Sequence, residues 1–106
     1  MPANIKKLIA ELKQGLARLY GRQLKAAYLY GSYARGDYDE GSDVDVMIVL
    51  EDYQNYCGEL DRSGELVSEL SLKYGISISR VVMKQRQWQK DDTPLLRNIR
   101  AEGMPA

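Results

Sequence analysis

Two aspartates, Asp43 and Asp45, run straight into the apolar stretch Val46 to Leu50, and no other feature constrains this chain as tightly. A run of that length and composition is a strand. The two-residue side-chain period of a strand puts both carboxylates on one face at its beginning, with Val44 on the other. Carboxylates held side by side repel each other unless a cation sits between them. An earlier apolar run, Leu24 to Tyr30, stops abruptly at Gly31-Ser32, and ten residues separate Ser32 from Asp43. Glycine lets backbone approach a ligand closely, and a serine ahead of a helical segment caps its N-terminus. Backbone N–H groups at such a turn favour an anion. A hard divalent cation such as Mg²⁺ takes oxygen ligands, usually one or two carboxylates plus water and substrate phosphates. Metal and phosphate sites together describe a nucleotide.

Gly31-Ser32, ten residues, then Asp43-x-Asp45 resembles the signature of the DNA polymerase β-like nucleotidyltransferase superfamily, most closely its minimal members. The chain length, Arg35-Gly36 after the Gly-Ser step and Ser42 before the first aspartate are similar to that subgroup as well. The resemblance implies a compact α/β (α+β) nucleotidyltransferase fold. Its small mixed sheet of about three strands is packed with helices in the order α-β-α-β-α-β-α, with residues 1–106 forming one minimal domain. It also implies Asp43 and Asp45 as catalytic and metal ligands for Mg²⁺ or Mn²⁺. Gly31, Ser32 and Arg35 would contact the phosphates of a nucleoside triphosphate, most naturally ATP.

Composition removes competing chemistries. The 106 residues carry fifteen basic and fifteen acidic side chains, a formal net charge of zero. No global field therefore draws the protein to nucleic acid or an anionic membrane, and direct nucleic-acid binding is not expected. There is no histidine, and Cys57 is the only cysteine. This excludes an intramolecular disulfide, a His-ligated zinc and any Ser-His or Cys-His pair. No apolar run approaches the roughly 18 residues of a membrane span, and Met-Pro-Ala-Asn lacks a signal-peptide pattern, so a cytoplasmic protein is expected. Eight tyrosines, one tryptophan and no phenylalanine put polar-tipped rings at the rim of the core or at an interface. A homodimer, or a complex formed through the helices, would suit a domain of this size.

In chain order, Ile5, Leu8, Ile9, Leu12, Leu16 and Leu19 recur at helical spacing, which predicts an amphipathic helix from Asn4, its cap, to Tyr20. Leu24 to Tyr30 is the first strand. Ser32 to Arg35 begins a short helix that Gly36 breaks, and Asp37 to Gly41 is a flexible acidic loop. Arg35 can help neutralise a triphosphate or pair with Asp37, Asp39 or Asp43. Val44 to Leu50 is the second, central strand, and Tyr56 to Tyr74 a long helix weakened by Gly58 and Gly64. Ile76 to Met83 is the third strand, with Ile76, Ile78 and Arg80 on one face and Ser77, Ser79 and Val81 on the other. Lys84 to Lys90 reads as a polar connection, Thr93-Pro94 opens a last helix to about Glu102, and Gly103 to Ala106 is a tail.

The chain departs from the family at one position. Active members generally add a third acid from a later strand, and here that strand reads Ile76-Ser77-Ile78-Ser79. Spacing places the third-carboxylate position at Ser79, with Ser77 the other candidate. Serine is a weak substitute for a carboxylate as base or ligand. Two functions are therefore implied by the resemblance. One is a Mg²⁺-dependent nucleotidyltransferase moving AMP from ATP to a hydroxyl of a partner protein, as the antitoxin beside a small helical HEPN-type toxin. The other is a catalytically impaired nucleotide-binding module that neutralises its partner by binding.

Overall fold

A computed structural model describes residues 1–106. Helix α1 (Ala3–Tyr20) and a single 3₁₀ turn (Gly21–Gln23) lead into β1 (Leu24–Tyr30), the short helix α2 (Ser32–Arg35) and β2 (Val44–Leu50). Helix α3 (Tyr56–Tyr74), β3 (Ile78–Lys84), helices α4 (Gln85–Lys90) and α5 (Pro94–Glu102) and strand β4 (Met104–Pro105) follow. The sheet order is β3-β2-β1-β4. β2 is antiparallel to β1 and parallel to β3, and β4 is antiparallel to β1. The expected mixed α+β architecture is present, with a central β2, but the sheet has four strands rather than three, and five helices pack around it.

The sheet separates two apolar clusters of unequal size. On one face, Ile5, Leu8, Leu12 and Leu16 of α1 and Val67 and Leu70 of α3 pack on Leu29, Val44, Val46, Ile48, Leu50 and Val82. On the other, Met47 and Val49 meet Leu96 and Ile99 of α5, with Tyr28, Tyr30, Val81, Met83 and Trp88 at the margin. Strand alternation sorts β2 between them, even positions to the thicker layer and odd positions to the thinner one. Helices α1 and α3 approach closely at Gly15, where a Cβ would lie 2.5 Å from Leu66 Cδ1. Arg80 reaches from β3 to α3, donating to Ser63 Oγ at 2.9 Å and to the Leu60 carbonyl at 2.6 Å. Its face is the expected one, shared with Ile78.

Local rules fail in four places, each for a main-chain or tertiary reason. Asn4 is not the cap of α1: the carbonyl of Pro2 already accepts the N–H groups of Ile5 and Lys6, so the helix starts at Ala3 and takes no side-chain cap. The third strand starts at Ile78, not Ile76. Ile76 N–H is tied back to the Ser71 carbonyl at 3.2 Å in the turn that closes α3. The supposed polar connection contains helix α4, whose start is held by Gln87 Oε1 accepting the Lys84 N–H at 3.0 Å. The supposed tail is β4, with Met104 opposite Leu29 and Pro105 opposite Tyr28. Proline fits there because β4 is the last strand of the sheet, where a missing N–H is tolerated. Thr93 caps α5 as expected, its Oγ1 accepting from Leu96 N–H at 3.3 Å.

Candidate active site

Strand β1 delivers the chain to Gly31, and β2 starts one residue after Asp43. Because the two strands are antiparallel, these ends meet. Tyr30 lies opposite Asp45 across the β1–β2 ladder, and Ser79 lies beside Asp45 across β2–β3. Residues paired in register share a face, so Tyr30, Asp45 and Ser79 form one row across three strands, each about 4.8 Å from the next. The adjacent row, Tyr28–Met47–Val81, is covered by the thinner apolar layer. The Asp45 row borders that layer, and Ser79 and Asp43 are exposed. Ser77, whose carbonyl accepts the Val44 N–H at 2.9 Å, is exposed just before β3.

Gly31 is required by its surroundings. Its φ of 77° and ψ of −155° lie in a region open essentially to glycine alone, and a Cβ there would stand 2.2 Å from Asp45 Oδ2. The backbone of the turn thus rests against the carboxylate. Ser32 does not cap α2 as its sequence position suggests. Gly31 takes the cap position, its carbonyl accepting from the N–H groups of Ala34 and Arg35 at 3.1 and 3.0 Å, and Ser32 is the first helical residue. The first N–H groups of α2 have no partner within the helix.

Two effects push the Asp45 carboxyl above its ordinary value, first its partial burial and then the negative charge of Asp43; Arg35 pulls the other way. Tyr30 is also pushed up, by burial and then by the charge of Asp45. Arg35 itself is engaged: Nε donates to Asp37 Oδ2 at 3.2 Å and Nη1 to Glu102 Oε1 at 3.1 Å. Of the acids that sequence offered as partners for Arg35, Asp37 is used and Asp39 and Asp43 are not. The acidic loop is tied rather than loose. Asp39 Oδ1 accepts the Gly41 N–H at 2.8 Å, Ser42 Oγ accepts the Asp39 N–H at 2.9 Å, and Tyr38 stacks on Tyr33 at 4.7 Å.

These residues fit a hard cation. Asp43 and Asp45 act on each other electrostatically, one of them is partly desolvated, and the chain supplies no compensating charge beyond Arg35. No group of three acidic, histidine or cysteine side chains converges anywhere in the structure. Two protein oxygens with the rest of the shell left to water and phosphate is the usual arrangement for Mg²⁺. Sequence reasoning missed two residues of this neighbourhood. Tyr30 adjoins the Gly-Ser step, and the antiparallel pairing of the two runs would have revealed it. Glu102 is 67 residues from Arg35 and left no local signal.

A family model described as a nucleotidyltransferase domain matches residues 9–100. A relative from Methanocaldococcus jannaschii named "Putative protein adenylyltransferase MJ0141" is 40% identical over 82 residues, 77% of this chain and 82% of its own length. A second from the same organism, "Putative protein adenylyltransferase MJ0604", is 36% identical over 101 residues, 94% of this chain and 95% of its own. Among solved structures, a chain of a toxin–antitoxin complex with AMP-PNP superposes with a TM-score of 0.61 at 20% identity, covering 89% of this chain and 68% of that one. A chain from the complex of a tri-AMPylated Shewanella oneidensis HEPN toxin with its minimal nucleotidyltransferase antitoxin gives 0.52 at 20% identity, covering 96% and 67%. At such identities the superpositions establish a shared fold.

Proposed function

This chain belongs to the nucleotidyltransferase domain family, and from that premise we propose that it transfers AMP from ATP to a hydroxyl of a partner protein. The partner is a small helical HEPN-type protein, with this chain as the antitoxin of the pair. The observation that carries the reading is the close approach of the Gly31 backbone to the Asp45 carboxylate, at the start of a strand that Asp43 immediately precedes. The names of the relatives and the toxin–antitoxin neighbours support the acceptor class and the partner.

Asp43 and Asp45 would hold Mg²⁺ or Mn²⁺, which when bound offsets charge on the triphosphate and polarises the phosphoryl oxygens. The open N–H groups at the start of α2 would donate to phosphate oxygens, and Arg35 would add a charge-assisted contact. In the transfer, the acceptor oxygen bonds to the α-phosphorus, the bond from that phosphorus to the bridging oxygen breaks, and pyrophosphate leaves. The acceptor's proton passes to solvent or to a carboxylate at the site.

A second reading, neutralisation by binding alone, is favoured by Ser79. An exposed serine occupies the in-register neighbour of Asp45, and no third acid converges there. One experiment separates the two. The natural chain and the Asp43→Asn/Asp45→Asn variant are incubated with α-labelled ATP, Mg²⁺ and a HEPN-type protein from the same genome. Label on the partner from the natural chain only is the expected result. An unlabelled partner that is bound equally well by both chains would overturn transfer in favour of the binding module.

A further inference from the structure

We propose that Glu102 is a latch on Arg35, displaced when a nucleoside triphosphate enters the Gly31–Asp45 site, so that nucleotide occupancy is passed to the C-terminal strand. The inference rests on the nucleotide reading above and assigns it a control.

Charge sets up the contest. Between Gly31 and Leu50 the chain has five acids, Asp37, Asp39, Glu40, Asp43 and Asp45, and a single base, Arg35. That base is already shared by two carboxylates, Asp37 at 3.2 Å and Glu102 at 3.1 Å. One positive charge against two negative ones leaves the turn net anionic, the wrong sign for a polyphosphate. Phosphate oxygens prefer the same planar N–H fork that the carboxylates occupy. Arg35 keeps N–H donors beyond the two in use, but a triphosphate drawn to them meets the negative charge of both carboxylates, and that repulsion favours the departure of one. Asp37 is tethered two residues away on the same turn, whereas Glu102 belongs to a separate element and can withdraw with it.

Withdrawal has somewhere to go. Glu102 is the last residue of α5, and Gly103 joins it to β4, a two-residue strand held on β1 by the pairs Tyr28–Pro105 and Leu29–Met104 and by the Ala106 N–H donating to the Ala27 carbonyl at 2.8 Å. Two residues back on α5, Arg100 donates to the carbonyls of Trp88 and Asp91 and lies 4.8 Å over the Trp88 ring. Trp88 in turn sits 5.0 Å from Tyr28 on β1. The end of α5, helix α4 and strand β1 thus meet at the only tryptophan of the chain. A shift of Glu102 away from Arg35 is felt at that ring and at the two β4 pairs.

The test is calorimetric binding of a non-hydrolysable ATP analogue, and separately of inorganic tripolyphosphate, each with Mg²⁺. Four chains are compared: the natural protein, Glu102→Gln, Arg35→Gln and the double variant. Removing one partner of a solvent-exposed pair predicts that Glu102→Gln tightens both ligands by about 1.4- to 5-fold. Arg35→Gln weakens both, and in that background Glu102→Gln changes nothing. Trp88 fluorescence shifts when the natural chain binds ligand, while Glu102→Gln starts from the shifted value. If Arg35→Gln weakens binding but Glu102→Gln leaves it unchanged or weaker, the latch is wrong and the nucleotide site stands. If Arg35→Gln also leaves affinity unchanged, the phosphate role of Arg35 is wrong and the latch falls with it.

Discussion

Replacing Asp45 by Asn should make the protein more stable at neutral pH. The carboxyl is raised by burial and by Asp43, so its ionised form is disfavoured in the folded state relative to the unfolded chain. Two residues along a strand span about 6.6 Å. Unit charges at that separation repel by about 0.6 kcal/mol in bulk water and about 2.5 kcal/mol at an effective dielectric constant near 20. Asp43 is exposed and Asp45 only half-buried, which keeps the repulsion near the lower figure once screening is counted. Partial burial adds to it, and losing the attraction of Arg35 subtracts. The net gain is about 1 kcal/mol, or about 4 to 8 °C in Tm for a domain near this size. For an acid with a raised folded-state pKa, the cost is absent while both states are protonated. It grows as pH rises through the unfolded and then the folded pKa. Melts from pH 3 to pH 8 should show no advantage of the variant below about pH 4 and the full advantage at pH 7. Mg²⁺ should raise the Tm of the natural chain but not of the variant, narrowing the gap. A variant less stable than the natural chain at pH 7, or a gain that persists undiminished at pH 3, would refute the reasoning.

Gly31→Ala forces a side chain into a glycine-only conformation and onto Asp45 Oδ2, so stability should fall by about 1 to 3 kcal/mol and Mg²⁺-dependent nucleotide binding should vanish. An unchanged Tm would show that the turn is not fixed as described. Ser79→Asp places a carboxylate beside Asp45 in the adjoining strand and should raise the transfer rate by about 10²- to 10⁴-fold, with the gain lost on chelation. A lower rate than the natural chain's, measured with labelled ATP, would mean that the acceptor's proton leaves by a route that Ser79 does not block.

How much of this could be read in the sequence follows from which forces write a side-chain pattern. Helix α1 and strand β2 announce themselves because burial selects every third or fourth, or every second, residue. The Gly31 turn and the Asp43–Asp45 pair announce themselves because a backbone conformation and a charge repulsion restrict residue type. Strand β4 leaves no such mark. It is held by main-chain pairing, to which Met104 and Pro105 contribute nothing distinctive. Helix α4 is polar and six residues long, stable only because Gln87 closes its first turn and Trp88 packs on Tyr28. The pairing of Arg35 with Glu102 spans most of the chain and depends on where α5 comes to rest.

The place of the site follows from the same economy of covering. On the thicker side of the sheet, α1 and α3 bury Val44, Val46, Ile48 and Leu50 along the whole of β2. On the other side, α4 and α5 are short, and their cover begins at the row of Tyr28, Met47 and Val81. The next row must then carry residues that tolerate water, and it carries Tyr30, Asp45 and Ser79. An apolar side chain at position 45 would demand a longer α5 to bury it, whereas a carboxylate tolerates the half-buried rim. Where the smaller layer ends, strand alternation, Gly31 and the charge of Asp43 converge on one carboxylate. The exposed Ser79 beside it leaves that side of the carboxylate open, which the proposed transfer to an acceptor side chain requires.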